Sequence, residues 1–224
     1  MMEQPAGIEA NYSNIVKDLP QNVQLVAVSK TYDAATVERV YNLGHRVFAE
    51  NKVQELVQKY NELPKDIHWH LIGHLQTNKV KYIAEFIDTI QSVDSRKILK
   101  EIDKQAEKHN RKIKVLLQVK IAEEDTKYGL EPSEAKGIFS EYLNGNYPNI
   151  EINGLMGMAT FTENEAQVRN EFAVLKNLFD ELSAQKPLST LSMGMSNDYK
   201  LAIECGATSV RIGSAIFGSR KPEK

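Results

Sequence analysis

The stretch that decides the fold is Val23–Val28, with the sequence VQLVAV, followed by a helical pattern that ends at Gly44. Val23–Val28 is short, almost continuously apolar and rich in valine, which is typical of a strand buried on both faces. Asp33 is of a type that caps helix N-termini, and Val37 and Val40 after it share one helical face. The sequence therefore predicts a buried strand followed by a helix.

The same unit recurs along the chain. Further strand-like runs are Arg46–Ala49, Ile67–Ile72, Thr89–Val93, Ile113–Ile121, Ile150–Met158, Thr190–Met195 and Ser209–Ile212. Helical patterns between them are Asn51–Tyr60, Gln76–Phe86, a segment capped by Ser95, Pro132–Leu143, Val168–Leu182 and Asp198–Gly206. Strands alternating with helices predict a parallel sheet covered by helices.

Eight strands favour an α/β fold closed as a (β/α)₈ TIM barrel, for which ~200 residues is a practical lower limit. Ile8–Lys17, before the first strand, is a candidate for the remaining helix. An open doubly wound sheet is the alternative, but no G-x-G-x-x-G pattern follows the first strand. We expect residues 1–224 to form one domain, with residues 1–22 as an N-terminal helical segment.

Composition excludes several classes of protein. The chain has 224 residues, 42% hydrophobic and 26% charged, with 28 Lys+Arg against 30 Asp+Glu and a net charge of −2. This balance argues against a nucleic-acid binder, and no apolar run approaches the ~20 residues that span a bilayer. Cys205 is the one cysteine and the start does not resemble a secretion signal, so we expect a cytoplasmic protein. The outer helices show no exceptional apolar patch, so we expect a monomer.

In a barrel of this kind the active site lies where the strands end. The first strand ends at Val28-Ser29-Lys30. A lysine partly withdrawn from water has a lowered pKa, and its neutral amine can attack a carbonyl and form a Schiff base. The alternative is that Lys30 begins a solvated loop.

The last strand adds a cation and a phosphate-binding pattern. Strand alternation points Arg211 away from its apolar neighbours, so we expect its guanidinium in the barrel lumen. Gly213 and Ser214 follow at once, and Ser196 ends the preceding strand–loop segment. Barrels commonly bind phosphate at these two loops. A lysine, an arginine and this loop pair indicate a phosphorylated aldehyde, for which pyridoxal 5′-phosphate (PLP) is the obvious candidate.

Six spaced motifs extend this interpretation, because together they resemble the pyridoxal phosphate homeostasis protein family. They run in order over nearly the whole chain and are Leu25–Lys30 (LVAVSK), Phe48–Glu55 (FAENKVQE), His70–Lys79 (HLIGHLQTNK), Gly154–Met158 (GLMGM), Leu191–Tyr199 (LSMGMSNDY) and Val210–Gly218 (VRIGSAIFG). The resemblance implies a single-domain barrel related to the N-terminal domain of bacterial alanine racemase.

The resemblance also implies how each residue acts. It implies an aldimine between PLP and Lys30, and it places Arg211 near the pyridine nitrogen. The phosphate loops fall on Ser196, Gly213 and Ser214, and Asn51 falls beside the cofactor ring. The implied function is to hold PLP, take part in its homeostasis and supply it inside the cell, with apo PLP-dependent enzymes as possible recipients.

An alternative function is a weak PLP-dependent amino-acid racemase or lyase. A cationic arginine at the pyridine nitrogen disfavours ring protonation and makes the ring a poorer electron sink. A racemase can tolerate such a ring, but it also needs a second acid or base. In the related racemases this group comes from a second domain and a partner subunit, and we expect no room for that domain here. We therefore expect a non-catalytic carrier.

A metal site is a separate possibility, because His68 and His70 share one strand face and His74 is near. No further ligand stands out in the sequence, so we expect no metal.

Overall fold

The computed structural model of the chain describes residues 7–123 and 128–218. Within these residues, eight parallel strands close into a barrel in chain order, with the last strand paired to the first. The strands are β1 (Gln24–Val28), β2 (Val47–Glu50), β3 (His68–Leu71), β4 (Thr89–Val93), β5 (Ile113–Gln118), β6 (Ile150–Met156), β7 (Thr190–Met195) and β8 (Ser209–Ile212). The predicted (β/α)₈ TIM barrel is confirmed. The predicted domain also includes residues 1–6, 124–127 and 219–224, which lie outside the described residues.

Helices cover the outside of the barrel. They are α1 (Ile8–Asp18), α2 (Ala34–Tyr41), α3 (Val53–Glu62), α4 (Arg96–Lys108), α5 (Pro132–Leu143), α6 (Glu165–Ser183), α7 (Tyr199–Glu204) and α8 (Ser214–Phe217). Helix α1 precedes β1 and packs against α2 and α8. Among the described residues, none of the helices is long and apolar enough to cross a bilayer.

Capping side chains begin two of these helices as the sequence predicts. Asp33 accepts a hydrogen bond from the backbone N–H of Thr36 at 2.8 Å, and Ser95 accepts one from that of Ile98 at 3.2 Å. Each hydrogen bond satisfies a backbone N–H that the first helical turn leaves without a partner, so each helix begins at the residue after its capping residue.

The predicted helix Gln76–Phe86 is wrong in type. The structure has a 3₁₀ helix at Thr77–Tyr82, with hydrogen bonds three residues apart, from the N–H of Lys79 to the carbonyl of Gln76 and from the N–H of Ile83 to that of Val80. Val80 and Ile83 are buried three residues apart, a spacing that suits a turn of 3.0 residues as well as one of 3.6. The apolar pattern therefore could not distinguish the two helices.

The strands separate an apolar outer layer from a polar lumen. Their outward-facing residues, such as Phe48, Trp69 and Val210, belong to the large core under the helices. Small apolar side chains of β1 and β2 form a separate inner cluster. Several other inward positions carry buried polar residues, namely His70, Gln91, Gln118, Ser192 and Arg211. A polar lumen this well shielded needs internal hydrogen bonds, and these lead directly to the site.

Candidate functional site

The carboxyl ends of the strands open onto a cavity of about 510 Å³. The six residues predicted for the site all line it: Lys30, Asn51, Ser196, Arg211, Gly213 and Ser214. They come from the ends of β1, β2, β7 and β8, which barrel closure makes neighbours. The structure thus places them around one space, and the role of each stays a prediction.

Lys30 lies in a tight turn directly after β1. The backbone N–H of Tyr32 donates to the carbonyl of Ser29 at 3.1 Å, which closes the turn around Lys30 and Thr31. Lys30 itself is half-buried and its side chain lines the cavity. The Tyr32 hydroxyl donates to the carbonyl of Gly218 at 2.7 Å and thereby ties this turn to the end of α8.

Arg211 lies in the lumen, as strand alternation predicts, and its side chain is buried. It donates to the Ser192 hydroxyl at 2.6 Å and to the carbonyl of Gly157 at 3.0 Å. Burial lowers the pKa of Arg211 to about 10, so the guanidinium is still a cation at neutral pH. The cavity therefore has a positively charged inner wall.

The Ser192 contact is the first link of a longer chain of hydrogen bonds. Ser192 Oγ donates to Gln91 Oε1 at 2.6 Å, and Gln91 Nε2 lies 2.9 Å from His70 Nδ1. A guanidinium can only donate, so Ser192 must accept from it and pass its own proton to an oxygen of Gln91. The Gln91 amide then donates to His70, and all the bonds run in one direction away from Arg211.

Asp88 lies at the far end of this chain. His70 Nε2 is 3.5 Å from an Asp88 oxygen, and Thr89 Oγ1 donates to that oxygen at 2.7 Å. Burial alone would raise the pKa of Asp88, but the hydrogen bonds from His70 and Thr89 hold it well below its usual value. An ionised carboxylate thus ends the chain of hydrogen bonds that begins at the Arg211 cation.

Two backbone amides converge at another part of the cavity wall, directly after β8. The N–H groups of Gly213 and Ala215 both donate to Ser196 Oγ, each at 3.3 Å. A Cβ atom at Gly213 would lie 3.0 Å from the carbonyl oxygen of Val28, so a side chain there would press on the β1 backbone. Two amides and the hydroxyls of Ser196 and Ser214 form a donor-rich corner suited to an anion.

Asn51 is fixed through its backbone by a close approach. The space for a Cβ at Gly73 is filled by the carbonyl oxygen of Asn51, which would be only 2.2 Å away. Only glycine allows the loop after β3 to pack this closely on the end of β2. The Gly73 position of the motif HLIGHLQTNK therefore helps to hold Asn51 at the cavity.

The three histidines considered for a metal do not converge. His68 Nδ1 and His70 Nε2 approach Asp88 at 3.4 and 3.5 Å, whereas His74 Nδ1 lies 2.8 Å from Asp94 and its ring stacks on Tyr128. Among the described residues, no cluster of three or more His, Cys, Asp or Glu side chains has the arrangement for a metal ion.

Sequence reasoning did not identify Ser192 as a partner of Arg211, or Gln91 as the next residue in that chain of hydrogen bonds. It also missed Glu50 at the end of β2 and Glu55 and Lys59 on α3, whose side chains bind the turn that contains Lys30. Three of these residues, Glu50, Glu55 and Ser192, do lie in motifs quoted above, FAENKVQE and LSMGMSNDY. Those motifs were a usable signal for them, whereas no local pattern marks Gln91 or Lys59.

Comparisons with known proteins agree with this architecture. The family described as "Alanine racemase, N-terminal domain" matches residues 5–221. A pyridoxal phosphate homeostasis protein from Aquifex aeolicus is 43% identical over 201 residues, which cover 88% of this chain and 87% of the relative. One from Schizosaccharomyces pombe is 38% identical over 209 residues, 91% of this chain and 87% of the relative.

Solved structures show the same fold. PipY of Synechococcus elongatus, 36% identical, superposes with a TM-score of 0.88 without PLP and 0.85 with PLP bound, over 94% of this chain and 100% of PipY. Alanine racemase of Clostridium difficile, 16% identical, has a TM-score of 0.74 over 97% of this chain and 58% of its own. The family match over residues 5–221 shows that the barrel is of the alanine racemase N-terminal-domain type, and the racemase structure has the same fold.

Proposed function

This chain belongs to the pyridoxal phosphate homeostasis protein family, and on that basis we propose that it binds PLP and takes part in holding and supplying it. The observation that carries the proposal is that Lys30, Arg211 and the amide corner at Gly213 line one and the same cavity. PipY, a relative of known structure, has been solved with PLP bound.

The residues present suit the chemistry of this cofactor. A phosphate dianion needs several donors, and Ser196, Ser214 and the amides of Gly213 and Ala215 supply them at one corner. Arg211 and Asn51 line the same cavity, where Arg211 would donate to the ring nitrogen and Asn51 would lie beside the ring. The cavity volume of about 510 Å³ is within the range of small-molecule sites.

Lys30 is the residue that we propose for covalent attachment. When bound, PLP would supply an aldehyde, with which the ε-amine of Lys30 would condense by loss of water. Lys30 contributes the nucleophile, and its position at the mouth of the barrel keeps it within reach of exchanging amines. The covalent bond is reversible, as holding and later releasing the cofactor require.

Arg211 favours a carrier over an enzyme. Because the guanidinium only donates, it can hydrogen bond to an unprotonated ring nitrogen and opposes protonation of that atom. Its own position is maintained by Ser192 and by the carbonyl of Gly157. A ring that stays unprotonated is a weak electron sink, so removal of the α-proton of an amino acid is disfavoured. The relatives are also named for homeostasis and not for an enzymatic reaction.

Supply to apo PLP-dependent enzymes is the cellular role that fits such a carrier. We expect it to act in the cytoplasm, where the half-buried thiol of Cys205 stays reduced, and to act as a monomer. Light scattering of the purified protein tests the monomer, and transfer of PLP to an apo-enzyme tests the supply role.

A proton-exchange experiment separates the carrier from a racemase-like enzyme. The PLP-loaded protein is incubated with alanine in deuterated water, and the α-proton is followed by NMR. We expect loss of that signal no faster than with free PLP at the same concentration. Rapid loss that disappears in Lys30→Ala would overturn the carrier function and establish the enzyme.

A further inference from the structure

The turn that carries Lys30 is held from behind by side chains of β2 and α3. Glu50 ends β2, while Glu55 and Lys59 lie one turn apart on α3. These three side chains lie outside the lining of the cavity described above. The proposed function gives them no role, although two of them belong to the motif FAENKVQE.

The backbone at Thr31 is in an unfavourable conformation. Its φ is +72°, in the left-handed region that β-branched residues rarely adopt. Thr31 is the third residue of the Ser29–Tyr32 turn, where a positive φ is typical of a type II turn and ordinarily calls for Gly or Asn. Strain of this kind persists only where neighbouring groups hold it, and here it directly follows Lys30.

Glu55 is the group that holds Thr31. The backbone N–H of Thr31 donates to Glu55 Oε2 at 2.9 Å, a charge-assisted bond from a helix to the strained residue. The Glu55 side chain is 28% exposed, so its removal leaves no large cavity in the core. Glu55 thus connects α3 to the C-terminal side of Lys30.

Lys59 and Glu50 hold the other side of the turn. Lys59 Nζ donates to the carbonyl of Ser29 at 2.8 Å and to Glu50 Oε1 at 2.6 Å, and Ser29 Oγ donates to the same Glu50 oxygen at 2.5 Å. Burial raises the pKa of Glu50, and the Lys59 charge opposes that rise. Ser29 is therefore held at both its carbonyl and its hydroxyl.

We infer that Glu55 and Lys59 are positioning residues that fix the strained turn and thereby aim the Lys30 amine into the cavity. The inference rests on the proposed function, since it concerns how readily Lys30 captures PLP. It predicts that loss of the hydrogen bond between Glu55 and the Thr31 N–H impairs covalent capture of PLP by Lys30. The rest of the cavity should still bind a ligand.

The test compares two ligands in Glu55→Ala. PLP can bond to Lys30, whereas pyridoxine 5′-phosphate has the same ring and phosphate but an alcohol in place of the aldehyde. We expect the dissociation constant of PLP to rise about tenfold, the factor that corresponds to one charge-assisted hydrogen bond. The dissociation constant of pyridoxine 5′-phosphate should stay within about twofold of the wild-type value.

Two further variants make the test specific. Glu62→Ala is the matched control, because Glu62 is an exposed glutamate on the same helix that accepts only from Gln58 at 2.9 Å among the contacts described for it. It should bind both ligands like wild type. Adding Thr31→Asn to Glu55→Ala should restore PLP binding, because asparagine tolerates a positive φ without the help of Glu55.

The results that overturn the inference are distinct from those that refute the proposed function. Equal weakening for both ligands, or unchanged PLP binding in Glu55→Ala, removes the positioning role. A wild-type protein that binds neither ligand refutes the proposed function instead. The turn is then still tested without ligand by hydrogen exchange of the Thr31 amide, which should be protected in wild type and exchange faster in Glu55→Ala; equal rates would overturn the positioning role.

Discussion

Ser192→Ala is the change that most clearly tests the hydrogen bonds inside the barrel. It removes the acceptor of the Arg211 Nη1 donor at 2.6 Å and the donor to Gln91 Oε1 at 2.6 Å. Arg211 is 3% exposed and Gln91 is 0% exposed, so both groups are shielded from bulk water. The Arg211 guanidinium and the Gln91 side-chain amide each lose a hydrogen bond, and this loss is costly because both groups are buried.

The magnitude follows from these contacts. Hydrogen bonds to charged groups contribute about 1.5–3 kcal/mol, and an unsatisfied buried donor costs a similar amount. We therefore expect Ser192→Ala to lower the free energy of unfolding by about 2–3 kcal/mol. For a chain of this size each kcal/mol lowers the melting temperature by about 2–4 °C, so a decrease of roughly 5–10 °C should be visible.

Ser209→Ala is the matched control for this measurement. Ser209 lies opposite Ser192 in the β7–β8 register and is 1% exposed, but its hydroxyl has no hydrogen-bond partner among the described residues. Its removal takes away a buried hydroxyl that makes no hydrogen bond, so the free energy of unfolding should stay the same or rise. Urea denaturation of the ligand-free proteins measures both values. If the two substitutions cost the same, the Arg211–Ser192–Gln91 chain does not contribute as argued.

Two other predictions concern the phosphate corner and pH. Ser196→Ala combined with Ser214→Ala should weaken PLP at least about tenfold and pyridoxal far less, because only PLP carries a dianion; equal losses in a fluorescence titration would move the phosphate elsewhere. Burial lowers the pKa of His45 from 6.5 to about 4, so the folded state binds fewer protons than the unfolded chain between these values. The free energy of unfolding should therefore fall by up to about 3 kcal/mol as the pH drops from 6.5 through 4. In urea denaturation, His45→Gln should make the free energy of unfolding depend less steeply on pH over this range. An unchanged pH dependence would contradict the lowered pKa of His45.

The barrel could be predicted because each strand is a short apolar run with a helix pattern after it. Outward-facing strand residues such as Phe48 and Val210 are apolar because they pack under the helices, and these apolar residues make the strands recognisable in the sequence. The 3₁₀ helix at Thr77–Tyr82 was not predictable, since residues three apart fit both kinds of helix.

The site could be predicted only in part. Lys30, Arg211 and Gly213 directly follow or end strands, and barrel geometry brings such positions to one mouth. Gln91 and Ser192 are 101 residues apart and meet only because β4 and β7 face each other across the lumen. Glu55 accepts from the backbone N–H of Thr31, and Lys59 donates to the carbonyl of Ser29. No pattern of side chains in the sequence reveals which backbone groups are bound or the positive φ of Thr31.

The most direct measurement of the central claim is to reduce the PLP-treated protein with borohydride and map the modified lysine by peptide mass spectrometry. Reduction converts a Schiff base into a stable secondary amine, so the attachment site is recorded permanently. We predict one modified residue, Lys30, and no modification in Lys30→Ala, while the buried Lys59 stays unmodified in both. An adduct on another lysine, or the same extent of labelling in Lys30→Ala, would contradict the account.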